Sequence, residues 1–174
     1  MQRILVIGSP GSGKSTLARR LAKRMSLPLI HLDREFFRPN WLEPTQSGWR
    51  ARVVQLAGQP RWVMEGDYFA TMDLRLPRAT AVVWLDIGRL RCLTNVLRRV
   101  AAHYGRVRPD LGVGCIERLH WPFLRWIWQY PYRVRPGIVR MLDRAGPGQH
   151  AFVLRSWADI PALEDRIALG REAA

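Results

Sequence analysis

Gly8-Ser9-Pro10-Gly11-Ser12-Gly13-Lys14-Ser15, with Thr16 behind it, satisfies G-x-x-x-x-G-K-[ST] at every fixed position. The flanking residues supply the context that this pattern needs. Ile4-Leu5-Val6-Ile7 is a short β-branched apolar run, the composition of a buried parallel strand. Leu17 and Leu21, with Ala18, Ala22 and Met25, fall on one face of a helix that follows. Strand, glycine turn and helix together form a phosphate cradle. The glycines let the backbone wrap closely and aim its N–H groups inward, and the helix N-terminus adds partial positive charge. In such a loop Lys14 reaches the β- and γ-phosphates and the Ser15 hydroxyl ligates Mg²⁺. Ser9, Pro10, Ser12 and Thr16 complete the expected nucleotide-binding stretch.

Outward from this loop, the 174 residues suit one domain with a full core. No apolar run of 18 residues is present, and the chain enters its first strand at once, so neither a membrane span nor a signal peptide is expected. Cys92 and Cys115 form no metal-ligand or redox spacing and read as reduced, buried or half-buried thiols of a cytoplasmic protein. The net charge is +14, and nearly all of the excess is arginine, since the two lysines are Lys14 and Lys23. Such a balance suits a polyanionic partner such as nucleic acid, but equally a site that grips several phosphates with bidentate arginines.

Four more strands follow. Residues 27–32 form the second and end at Asp33, where an acceptor can approach the loop. Asp33 reads as a general base for an acceptor hydroxyl or as a helix cap. Residues 34–47 are loop-like but carry Phe36, Phe37 and Trp41, as a substrate flap or a satellite core would. A helix over about 48–58 leads to the third strand, Trp62-Val63-Met64, which ends in Glu65-Gly66-Asp67-Tyr68. Glu65 or Asp67 reads as a Mg²⁺ or acceptor carboxylate, or as part of a turn. Arg75 and Arg78 read as solvated surface residues by default. The fourth strand, residues 81–86, ends in Asp86, a carboxylate expected to support Mg²⁺ beside Ser15.

Residues 89–104 are amphipathic, with Leu90, Leu93, Leu97 and Val100 predicted as the buried stripe. Glycines then bracket Arg106 and Arg108, the pattern of a mobile lid over about 105–115 that brings arginine to a transferring phosphoryl group. Residues 116–146 are helical and aromatic-rich, a core or interface by spacing, or a stacking platform for single-stranded nucleic acid. Ile138 to Leu142 extend this segment to Gly146-Pro147-Gly148. The fifth strand, residues 151–154, ends at Arg155, placed to border the nucleotide base. Ile160, Leu163, Ile167 and Leu169 mark a last helix packed on the sheet.

Taken together, these motifs resemble the small P-loop kinases of the nucleoside-monophosphate-kinase-like superfamily, and within it an adenylate kinase-like or DNA topology modulation protein FlaR-like group. The resemblance runs through His31-Leu32-Asp33, Pro39-x-Trp41, Glu65-Gly66-Asp67-Tyr68, Val83-Trp84-Leu85-Asp86, Gly105-Arg106-x-Arg108-Pro109-Asp110 and Leu154-Arg155-Ser156. It implies an α/β, three-layer αβα sandwich with a five-stranded parallel sheet, an acceptor flap and a helical lid. It also implies ATP and Mg²⁺ at Gly8–Ser15. Glu65 stands where such relatives usually carry Asp, and Asp67 where they carry Asn. The adenylate-kinase arginine pattern for AMP is missing from the region of the second strand. The expected activity is transfer of the ATP γ-phosphate to a small-molecule or nucleotide acceptor. An ATP-binding regulator associated with nucleic acid is the alternative.

Overall fold

The computed structural model describes residues 1–143, 146 and 148–172, and side chains through residue 167. Its centre is a five-stranded parallel sheet made of β1 (Arg3–Gly8), β2 (Leu29–His31), β3 (Trp62–Glu65), β4 (Ala81–Leu85) and β5 (His150–Leu154). The strand order is β2-β3-β1-β4-β5. Thus β1, which delivers the glycine loop, lies in the middle with β3 on one side and β4 on the other.

The period-two alternation of the strands divides the core into two layers. Ile4, Val6, Val63, Ala81, Val83 and Leu85 face one side of the sheet. There they meet α1 (Lys14–Met25), α5 (Arg89–His103) and α8 (Ile160–Glu172). Leu5, Ile7, Trp62, Met64, Val82 and Trp84 face the other side, with α3 (Gln46–Gly58), α4 (Met72–Arg75) and α7 (Arg135–Leu142). The remaining helices are the short α2 (Leu32–Phe36) and α6 (Trp121–Arg133), and α6 supplies Leu124 and Ile127 to the first layer and Tyr130 to the second. The expected three-layer α/β sandwich is what the chain forms.

Helix α1 shows why the loop is held firmly. Leu17, Ala18, Leu21, Ala22 and Met25 are all buried, and burial of each large side chain stabilises by about 1.5–3 kcal/mol. The helix stops where Ser26 turns left-handed at φ 51 and its N–H bonds to the carbonyls of Ala22 and Lys23.

Three expectations change in the folded chain. In α5 the buried face is Cys92, Val96 and Val100, whereas Leu90 and Leu97 are exposed at 68% and 47%. The helix is turned so that the small Cys92 lies under the glycine loop. Second, the residues 34–47 include the turn of helix α2 and a short 3₁₀ turn at Pro39–Trp41, and Asp33 sits inside α2. Third, Arg75 is fully buried. Both cysteines are free and buried, as expected. Among the described residues no helix is long and apolar enough to cross a membrane. Pro147 and the side chain of Leu169 lie outside the described residues.

Candidate active site

The glycine loop leaves β1 through three left-handed residues, Gly8 at φ 144, Gly11 at φ 80 and Gly13 at φ 98. Space forbids a side chain at Gly11, where a Cβ would lie 2.2 Å from the Cys92 carbonyl oxygen. The Asn95 amide donates to the Gly11 carbonyl at 2.8 Å, which ties the loop to α5. From the opposite side the Trp157 indole donates to the Ser12 carbonyl at 2.7 Å, and a Cβ on Gly13 would meet that indole at 3.2 Å. Lys14 donates from Nζ to the Ser9 carbonyl at 3.1 Å, which keeps its ammonium over the loop.

Two features of this loop bear on whether it fits a nucleotide's phosphates. The first-turn amides of α1 have no intrahelical acceptor, and no side chain caps the helix or places an acid in that turn. These donors are therefore left free for an anion beside a loop built on glycines. The residues present fit a triphosphate. For Mg²⁺ the donor set is also suitable: the Ser15 hydroxyl lies 3.2 Å from Glu65 Oε1. No group of three or more His, Cys, Asp or Glu suited to a metal exists among the described residues. A Mg²⁺ ion held by one hydroxyl, one carboxylate, phosphate oxygens and water requires none.

The carboxylate beside Ser15 thus comes from β3, whose partner strand is β1. Asp86 takes a different place. Its carboxylate receives three hydrogen bonds from Arg135, at 2.9 to 3.2 Å, on the β4 side of the sheet. Glu65 is 3% exposed and also meets His31 Nδ1 at 2.7 Å, because β2 and β3 are in register at that pair.

Asp33 lies one turn beyond β2 and accepts from the Tyr68 hydroxyl at 2.9 Å. Burial, together with the charge of Glu65, pushes its carboxyl above the usual carboxylate range, while Lys14, Tyr68 and Arg108 pull the other way. Asp67 behaves alike: burial raises it against the pull of Lys14, and its Oδ1 accepts the Gly8 amide at 3.4 Å. The ammonium of Lys14 is therefore felt by acids of two different elements. Arg75 holds the turn that carries Asp67. Its guanidinium donates to the carbonyls of Gly66, Asp67 and Tyr68 at 2.7–3.0 Å, and burial lowers its pKa to about 10.

Residues 34–47, expected as a flap, and the segment of the expected lid touch each other. The Trp41 indole donates to the Ile116 carbonyl at 3.0 Å, and the Asn40 amide to the Gly114 carbonyl at 3.2 Å. Asn40 and Trp41 are both left-handed, at φ 62 and φ 61, a strained conformation that the docking sustains. In the lid, Arg108 is buried and ion-paired with Glu117 at 2.6 Å and Asp110 at 3.2 Å, yet its charge still reaches Asp33. Arg106 is exposed, and so is Arg155 beyond β5, where Trp157 touches the loop instead.

Strand order and the glycine cradle give the chain a P-loop kinase-like fold. A family model for ATPases associated with various cellular activities (AAA) matches residues 4–62 of this P-loop fold. The adenylate kinase of Kocuria rhizophila is 40% identical over 58 residues, which is 33% of this chain and 30% of that kinase. The chain thus matches less than a third of the length of that curated relative. Among solved structures, shikimate kinase from Acinetobacter baumannii in complex with shikimate superposes with a TM-score of 0.58 at 17% identity, covering 99% of this chain and 94% of that one. Shikimate kinase from Bacteroides thetaiotaomicron gives the same TM-score at 15% identity, with 98% of each chain covered. At these identities the likeness is one of fold.

Several site residues escaped the sequence reading. His31, Tyr68 and Trp157 act through partners 34 to 145 positions away, as with the Trp157–Ser12 bond, whereas Arg75 meets carbonyls 4 to 9 positions away and Glu117 meets Arg108 and Arg99. The signal that was available is that His31, Tyr68 and Trp157 each follow or close a strand end near the loop.

Proposed function

We propose that this chain is an ATP-dependent phosphotransferase that transfers the γ-phosphate to a small-molecule or nucleotide acceptor. The observation that carries the reading is the convergence of Lys14, the Ser15–Glu65 pair and Asp33 at the carboxyl ends of three neighbouring strands. ATP supplies the phosphoryl group, and Mg²⁺ neutralises the charge of its phosphates. The loop amides and Lys14 hold those phosphates in place. Of the three expected metal residues Ser15, Asp86 and Glu65, Ser15 and Glu65 would hold the metal, as their 3.2 Å contact supports, while Asp86 is engaged by Arg135. Asp33 orients the acceptor hydroxyl and takes its proton; burial raises its carboxyl above the usual carboxylate range, which makes it a stronger base. Arg108 is the lid arginine whose charge reaches Asp33, and it steadies the transferring group; Arg106, exposed, lies outside this set. Flap and lid exclude water by closing on each other.

The partial likeness to adenylate kinases and the fold shared with shikimate kinases support the reading. They lend no support to nucleic acid as the partner. Replacement Lys14→Ala is expected to abolish ATP-dependent transfer while the far-ultraviolet circular dichroism stays that of the native protein. Normal turnover in a folded Lys14→Ala variant contradicts the proposal.

A further inference from the structure

On the reading that the site is a kinase, its acceptor half shows what kind of molecule it receives. We infer that the acceptor is a hydroxyl compound without phosphate or carboxylate, a polyol or ring-bearing alcohol that lays its less polar face against the flap aromatics. Charge is the first argument. Although the chain carries a net charge of +14, the charges felt at Tyr68 are those of carboxylates, Asp33, Glu65 and the exposed Glu43. An anionic acceptor would enter against these carboxylates at short range, where repulsion is little screened.

The arginines that an anion would need are committed elsewhere. Arg75 is fully buried and directs its guanidinium at backbone carbonyls. Arg108, shared with Glu117 and Asp110, is already assigned to the transferring phosphoryl group and is not a free fork for the acceptor. Arg50 is paired with Asp73 at 2.6 Å and Arg52 with Glu35 at 2.7 Å. The remaining flap arginines, Arg34 and Arg38, are exposed, where contact with an anion is weak and screened by salt. A site built for a phosphate or carboxylate instead presents unpaired guanidinium forks.

What the acceptor side does offer is aromatic surface next to one carboxylate. Phe36 packs at 4.8 Å from Tyr68 and 4.9 Å from Phe37, and Phe37 at 5.0 Å from Trp41. All four rings are half-buried, so each keeps some accessible face. The Tyr68 hydroxyl joins this cluster to Asp33. A sugar-like ring or a cyclic alcohol uses both parts, with C–H surface on the rings and a hydroxyl on Asp33. The transfer balances. The acceptor oxygen forms a bond to the γ-phosphorus, the bond from that phosphorus to the β,γ-bridging oxygen breaks, ADP leaves, and the hydroxyl proton passes to Asp33.

The test uses the full chain, γ-³²P-labelled ATP and a deproteinised small-molecule extract divided at neutral pH on an anion exchanger. Label is expected to enter compounds from the unretained, non-anionic fraction, and AMP and shikimate supplied as pure acceptors are expected to give none. Transfer to the retained fraction, to AMP or to shikimate overturns the inference and leaves the kinase reading standing. No transfer from either fraction by protein that binds ATP overturns both. With the acceptor fraction that works, Phe37→Ala is expected to raise the acceptor KM several-fold with the ATP KM unchanged. An unchanged acceptor KM removes the aromatic face from the account.

Discussion

In the proposed site, the donor half and the acceptor half are built from different materials. The donor half is mostly backbone: three left-handed glycines, helix amides and carbonyls clamped by Asn95 and Trp157. The acceptor half is mostly side chains from separate elements: Asp33 from α2, Glu65 from β3, Tyr68 from the turn after it and Arg108 from the lid. A backbone cradle demands particular residue types at fixed spacing, and it binds what every nucleoside triphosphate has. A side-chain site is assembled by the fold and can change its occupant by exchanging one residue. On the proposed reading, that difference lets the first half identify a class of donor and leaves the choice of acceptor to the second half.

The largest expected effect comes from attacking the backbone half. A Cβ at Gly11 lies inside contact distance of the Cys92 carbonyl, and the position is left-handed. Gly11→Val is expected to abolish measurable ATP binding by calorimetry and to lower unfolding free energy by about 1–3 kcal/mol, the scale of local backbone strain. ATP binding of native strength in Gly11→Val would show that the loop need not approach α5 so closely.

A middle effect is expected where flap and lid touch. A Cβ at Gly112 would lie 2.6 Å from the Phe37 carbonyl oxygen. Gly112→Ala is expected to leave ATP binding intact while lowering kcat and raising the rate of futile ATP hydrolysis, because the two covers no longer seat together. Equal effects on ATP binding and on transfer would mean that the lid serves the donor half as well.

The smallest effect lies on the acceptor side's outer rim. Hydrogen bonds from Arg50 hold the exposed Asp73 carboxyl below its usual value of 3.8. A depressed folded pKa gives stability that is present above the unfolded value and is lost as pH falls through the folded one. Asp73→Asn is therefore expected to lower the melting temperature slightly at pH 7 and to match the native protein at a pH below both values. An equal difference at both pH values would assign the effect to something other than charge.

The same contrast governs how much was legible in the residues. Glycine, lysine and serine at their spacing disclosed the loop, and apolar runs disclosed five strands, because both are local physics. The strand order was not local, and it decided which acid reaches Ser15. Asp86 ends the stronger apolar run, but β3 is β1's neighbour on the side where Ser15 points, so Glu65 arrives there and Asp86 turns to Arg135. The α5 stripe was misread for a related reason. Leu90 and Leu97 match helical spacing, but the loop's approach selects small Cys92 for the buried face. Arg75 was read as a surface residue because nothing in its neighbours reveals four carbonyls waiting for a guanidinium.

The assignment of Glu65 is the point on which the two halves join, and a Mg²⁺ titration of ATP-dependent transfer tests it most directly. Glu65→Gln is expected to require more Mg²⁺ and to lose most transfer at any concentration, whereas Asp86→Asn keeps the native Mg²⁺ dependence. Loss of Mg²⁺-dependent transfer in Asp86→Asn, with native behaviour in Glu65→Gln, would contradict the account.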